Sequence, residues 1–174
     1  MPPLPSADAQ TLRAVSQAAF DLARAGDAPR LQALLDRGLP INLRNEKGDT
    51  RLMLASYHGH REAAGTLLAR GADPNLANDQ GQSPLFGAIF KGDRPVVEQL
   101  LDHGADVKSV SPAGKTALMM AAMFGRTSLV ELLLRRGADP HARDIQGLSV
   151  AQAARLMGAS EAAELLERRR PAGG

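Results

Sequence analysis

The chain has 174 residues, 44% of them hydrophobic, and carries 21 Lys and Arg against 19 Asp and Glu for a net charge of +2. That length suffices for one domain with a sizeable core, and the near balance of charge shows no large basic domain of the kind nucleic acid selects. With no cysteine, disulfides, zinc–cysteine sites and a thiol nucleophile are excluded.

Arginine supplies seventeen of the basic residues and lysine only four, beside abundant alanine, a composition that matches a GC-rich bacterial genome. The opening MPPLPSADAQ lacks the charged start and apolar run of a secretory signal. No stretch reaches the roughly 18 uncharged apolar residues of a membrane-spanning helix. The expectation is a soluble, cytoplasmic protein.

Taken in chain order, the elements follow a ruler. Thirteen of seventeen glycines recur every 33 residues in three series: Gly26, Gly59, Gly92, Gly125, Gly158; Gly38, Gly71, Gly104, Gly137; and Gly48, Gly81, Gly114, Gly147. A period of this length means one supersecondary unit copied and stacked. Residues 1–11 are read as a partly flexible N-terminal segment, with the first helix extending from about Ser6. Residues 12–169 form one domain in five copies, 12–44, 45–77, 78–110, 111–143 and 144–169. Residues 170–174 form a tail, and Arg168, Arg169, Arg170 and Pro171 are read as solvated.

The first copy lacks a turn glycine, Val15 standing in its place. Later copies open with Asn45, Asn78, Ser111 or Asp144, each followed three residues on by a ruler glycine. A small polar residue bonding nearby backbone, with glycine accepting positive φ, makes a turn. Thr50, Ser83, Thr116 and Ser149 then suit helix N-caps, and Pro84 sits at a first helical position. Short first helices follow, such as 51–58 and 117–124, closed by the Gly59, Gly92 and Gly125 series. Second helices carry Leu34–Leu35, Leu67–Leu68, Leu100–Leu101 and Leu133–Leu134, with Asp93 as a cap before Pro95. These leucines, with Leu52, Leu85 and Leu118, form the expected core, and Leu101 is expected to be buried between copies. In the last copy Glu167 replaces a core leucine, which only a terminal repeat tolerates.

The best-formed copies read GQSPLFGA over Gly81–Ala88, Gly59–His60, and LLARGADPN over Leu67–Asn75. Together they resemble the ankyrin repeat, Gly-x-Thr-Pro-Leu-His-x-Ala, then Gly-His, then Leu-Leu-x-x-Gly-Ala-Asp-x-Asn, across roughly residues 12–169. The resemblance implies an all-α ankyrin-repeat solenoid of helix pairs joined by β-type turns. The chain departs where the family has the His of Thr-Pro-Leu-His: Met53, Phe86, Met119 and Gln152 stand there, and apolar packing is expected to substitute.

The resemblance also implies a protein-binding module whose first helices and turn tips line a concave face. The aromatics and non-initiator methionines all fall in the middle or last turn of first helices. Phe20, Met53, Phe86, Met119 and Met120 occupy recurring apolar slots and are read as packing. Tyr57, His58, Phe90, Lys91, Met123, Phe124, Leu156 and Met157 precede the C-cap glycines in slots that vary between copies. They are the candidate groove, against the plainer reading that each ring packs on its neighbour. Glu46, Asp49, Asp79, Gln82, Lys115 and Leu148 at the turn tips complete the candidate partner-binding set. The later tips turn apolar, with Val110, Pro112, Ile145 and Leu148.

No catalytic residue, metal site or cofactor is expected. His58 and His60 do not share a helix face, His103 and His141 are loosely related surface positions, and Glu161, Glu164 and Glu167 read as a solvated face. There is no P-loop, H-E-x-x-H or G-x-S-x-G. The expectation is a non-enzymatic monomer binding another protein, with no small-molecule substrate and no membrane. Two alternatives stand: an inhibitor or protective, immunity-like partner of an enzyme, and nucleic-acid binding through arginines such as Arg135–Arg136 and Arg168–Arg170.

Overall fold

The computed structural model describes residues 9–169. The proposed helix start near Ser6 and the 170–174 tail, including Arg170 and Pro171, lie outside the described residues. Two compact units divide the chain. The first runs to Lys91 and resumes over Pro95–Ala105; the second holds Gly92–Arg94 and the chain from Asp106 onward.

The first unit begins with α1 (Ala9–Ala25), which runs straight through Val15 where later copies make a turn. It pairs with α2 (Ala28–Asp36), which Asp27 caps by accepting from the Arg30 N–H at 3.1 Å. The pair α3 (Arg51–Tyr57) and α4 (Arg61–Ala69) follows, and then α5 (Pro84–Lys91) and α6 (Arg94–Asp102). First helices lie against first helices, α1 on α3 and α3 on α5, while α2 lies against α4. The second unit repeats the scheme with α7 (Ala117–Met123) and α8 (Thr127–Arg135), then α9 (Val150–Leu156) and α10 (Ser160–Arg168). There α7 packs on α9 and α8 on α10. Extended pairing among the described residues is limited to single bridges such as Arg44 with Thr50 and Arg143 with Ser149.

Several starts and stops have a local cause. Thr50 and Thr116 accept from the N–H groups of Met53 and Met119, both at 3.1 Å, and Ser83 caps more loosely at 3.4 Å from Phe86. All thirteen ruler glycines adopt positive φ, and no other described residue does. In the turns, Asn45, Asn78 and Asp144 each accept from two backbone N–H groups, two and four residues ahead. Asp73, Asp106 and Asp139 do the same once each, two residues ahead, which explains the aspartate after each Gly-Ala.

Ala55, Ala88, Ala121 and Ala154, spaced by the ruler, are all fully buried and let the first helices approach closely. Phe20, Met53, Phe86 and Met119 are buried too, while Met120 is only half-buried. Gln152 departs from the expected apolar packing: it is exposed and closes a capping box, its side chain accepting from the Ser149 N–H at 2.9 Å.

Leu101 also corrects the sequence reading. Leu100 is fully buried, and Leu101 only half-buried. Leu100 lies three and four residues after Val97 and Val96 and is enclosed with them, whereas Leu101, about 100° further round the helix, sits at the margin of that stripe. The deep slot is Leu67, Leu100, Leu133 and Leu166; in α2 the buried pair is instead Leu31 and Leu35.

Arg51 was not anticipated. It occupies the slot of Pro84, Ala117 and Val150, yet its side chain is wholly buried, one guanidinium nitrogen donating to the carbonyls of Pro40 and Ile41. The guanidinium lies 5.3 Å from the Phe20 ring centroid, a cation–π contact that ties α3 to α1. Burial pushes its pKa down to about 10, so it stays charged at neutral pH. Its Nε and Nη1 have no hydrogen-bond partner.

Candidate functional site

In the first unit the residues preceding the C-cap glycines gather round one stack. Because α3 lies on α5, residues one ruler length apart come side by side. Tyr57 and Phe90 stack with centroids 5.5 Å apart and planes 8° from parallel. Both stay substantially exposed, 44% and 50%. Each ring thus packs on its neighbour and still keeps about half its surface exposed.

His58, the C-cap of α3, stands edge-on to Tyr57 with centroids 5.2 Å apart. The turn after it brings the His60 ring to 6.0 Å from His58, although the two lie on different elements. His60 is anchored, its Nε2–H donating to the Arg24 carbonyl at 2.7 Å. It lies over Gly26, where an added Cβ would meet the imidazole at 2.5 Å, so the first copy's C-cap glycine leaves room for the second copy's histidine. Arg24 pairs with Asp21 at 2.7 Å. Partial burial, then the charges of His60, Arg24 and Lys91, hold the His58 pKa below its ordinary value.

The turn tips of this unit hold one another. Asp49 accepts from the side-chain amides of Asn45 and Asn78, at 3.3 and 2.8 Å, and Gln82 accepts from Asn78 at 3.2 Å. Asp79 pairs with Arg44 at 3.2 Å, and its N–H donates to the Lys47 carbonyl at 3.1 Å. Glu46 is exposed. The polar tip residues singled out from the sequence thus include a structural set, Asp49, Asp79 and Gln82.

In the second unit α7 lies on α9, and Met123 with Phe124 and Leu156 with Met157 occupy the equivalent C-terminal ends of these two helices. Met123 is half-buried, while Phe124, the C-cap of α7, Leu156 and the α9 C-cap Met157 are exposed. A shallow, mainly apolar groove is lined by Leu148, Gln152, Arg155 and Leu156. Glu167 holds Arg155 there by a two-pronged pair of 2.7 and 3.2 Å, which gives this charge at a former leucine slot a role. Ile145 is 75% exposed at its tip, and Leu148 is half-buried.

Lys115 reaches Asp144 at 3.1 Å. Burial alone would raise the Asp144 pKa, but the Leu148 N–H, the Lys115 ammonium and the Gln146 N–H outweigh it and hold the carboxyl below its ordinary value. Of the candidate groove residues, Tyr57, His58, Phe90 and Lys91 belong to the first unit and Met123, Phe124, Leu156 and Met157 to the second. Arg135, Arg136, Arg168 and Arg169 are exposed, and Arg168 pairs with Glu164 at 3.2 Å. Among the described residues no group of three or more His, Asp or Glu is placed to hold a metal ion, and no helix is long and apolar enough to cross a membrane.

Capped helix pairs, positive-φ glycines and Asx turns recurring at one period define a class: the chain belongs to the ankyrin repeat family, an all-α solenoid fold. The family model described as ankyrin repeats in three copies matches residues 16–111, 65–144 and 85–169. Such repeats are in general protein–protein interaction modules. The chain is also similar to an ankyrin repeat protein of Pseudomonas aeruginosa, 58% identical over 60 residues. That stretch is 34% of this chain and 34% of the relative, so it spans about a third of the relative's length.

Proposed function

We propose that this chain is a non-catalytic, monomeric, cytoplasmic protein that binds another protein through the side chains preceding its C-cap glycines. The observation that carries the reading is the exposure of large apolar groups there, Tyr57 and Phe90 in the first unit, Phe124, Leu156 and Met157 in the second. Aromatic and methionine side chains dominate interface energetics, and exposed large apolar groups gathered in one place mark interaction sites. Helices hold them in place beforehand, so little ordering entropy opposes association.

Phe124 is the side chain to test, because Met123 precedes it and Leu156 and Met157 hold the equivalent positions on the adjacent repeat of the same unit. Burying such a ring in a partner is worth roughly 1.5–3 kcal/mol. Immobilised wild-type chain should capture a partner from the source cell. Phe124→Ala should bind it about tenfold more weakly, 1.4 kcal/mol per decade, with an unchanged helical spectrum. Arg70→Ala, which removes only the surface pair with Asp36, should bind as wild type does. Equal capture by Phe124→Ala would place the interface elsewhere, and a core-sized loss of stability would make the ring structural.

A further inference from the structure

The first unit's aromatic stack has basic side chains round it. Lys91 follows Phe90 on α5, His58 stands against Tyr57 with His60 behind it, and Arg24 carries the carbonyl that anchors His60. The charges that act on His58 are those of His60, Arg24 and Lys91, all of one sign, and the Arg24 charge is partly offset by Asp21. Stacking Tyr57 on Phe90 leaves ring edges outward, and the edge is the positive part of an aromatic quadrupole. Ring edges, the His58 N–H and the Lys91 ammonium together favour an anion beside an apolar group.

We propose that this surface, Tyr57 and Phe90 with His58, His60 and Lys91, recognises an acidic protein segment in which Asp or Glu flanks a large apolar side chain. The proposal rests on the protein-binding reading above and adds the chemistry of the segment. A peptide fits better than a nucleic acid. The charged groups here, Lys91 and an Arg24 already paired with Asp21, do not form the continuous stripe that tracks a phosphate backbone. One face of each ring is also occupied by the other ring, which reduces the platform for stacked bases.

The test is selection of random peptides displayed on phage against the full chain, followed by fluorescence anisotropy with the enriched peptide synthesised. The expected result is enrichment of Asp or Glu beside Phe, Leu or Trp. Replacing those acids by Asn or Gln should weaken binding about tenfold or more, as should Phe90→Ala. Lys91→Gln, exposed and outside the core, should weaken it too and keeps the test valid if Phe90→Ala folds poorly. Enrichment of basic or uncharged peptides would overturn the proposal. So would enriched peptides whose affinity falls with Phe124→Ala but not with Phe90→Ala or Lys91→Gln; that outcome leaves the protein-binding reading standing. If no peptide is enriched and labelled oligothymidylate binds in a Lys91-dependent way, both readings fall.

Discussion

Gly48 and Gly147 place the same demand on the backbone and face different surroundings. Their φ angles are +77° and +79°, but a Cβ on Gly48 would sit 2.3 Å from the Asp79 carboxylate and 2.7 Å from its backbone nitrogen, whereas nothing lies within 4 Å at Gly147. Gly147→Ala should therefore cost only the left-handed strain, about 1–2 kcal/mol. Gly48→Ala should cost clearly more, because the Asp79 N–H bond to Lys47 must shift as well. Urea denaturation of the two variants checks this, and equal losses would mean that the tips yield without cost. The glycine positions were legible from sequence because few other residues tolerate positive φ. Arg51 was not: a helix-start arginine usually faces water, and only the position of Phe20 and the Pro40 and Ile41 carbonyls draws it inward.

At the scale of the element, the 33-residue ruler identifies equivalent slots without saying how deep each lies. Leu100→Ala should cost about 2–5 kcal/mol through lost burial and a cavity, and Leu101→Ala markedly less. Thermal or urea unfolding of the pair decides it; equal costs would put both leucines in the core. Gln152 was misread for a related reason, since its slot is apolar in other copies and only the geometry of Ser149 reveals the capping box. The tip of the last repeat adds a pH dependence. The Asp144 carboxyl titrates below its ordinary range in the folded protein, so its contribution is complete above that range and is lost as pH falls through the folded-state value. Asp144→Asn keeps an acceptor for the Gln146 and Leu148 N–H groups but removes the Lys115 attraction. Its stability should therefore fall less steeply on acidification than that of wild type, as followed by circular dichroism against pH. An identical acid profile would show that Asp144 does not contribute.

For the whole molecule, the class of fold was legible almost completely and the candidate site only as a set of slots. Turn, cap and core residues repeat, so each copy corroborates the others. The candidate partner-facing residues are the ones that differ, so no copy vouches for another. Tyr57, Phe90 and Phe124 could be picked out by position before the C-cap glycines. That Tyr57 stacks on Phe90, and that Asp49, Asp79 and Gln82 are engaged in holding the tips, needed coordinates. The most direct measurement is amide hydrogen exchange of the full chain with and without its captured partner. Exchange should slow in segments covering residues 57–60 and 90–92, or 123–126 and 156–158, or in both sets, and stay unchanged around residues 69–71 and 135–137. Protection confined to the ends of the second helices, with the segments before the C-cap glycines unaffected, would contradict binding through these surfaces.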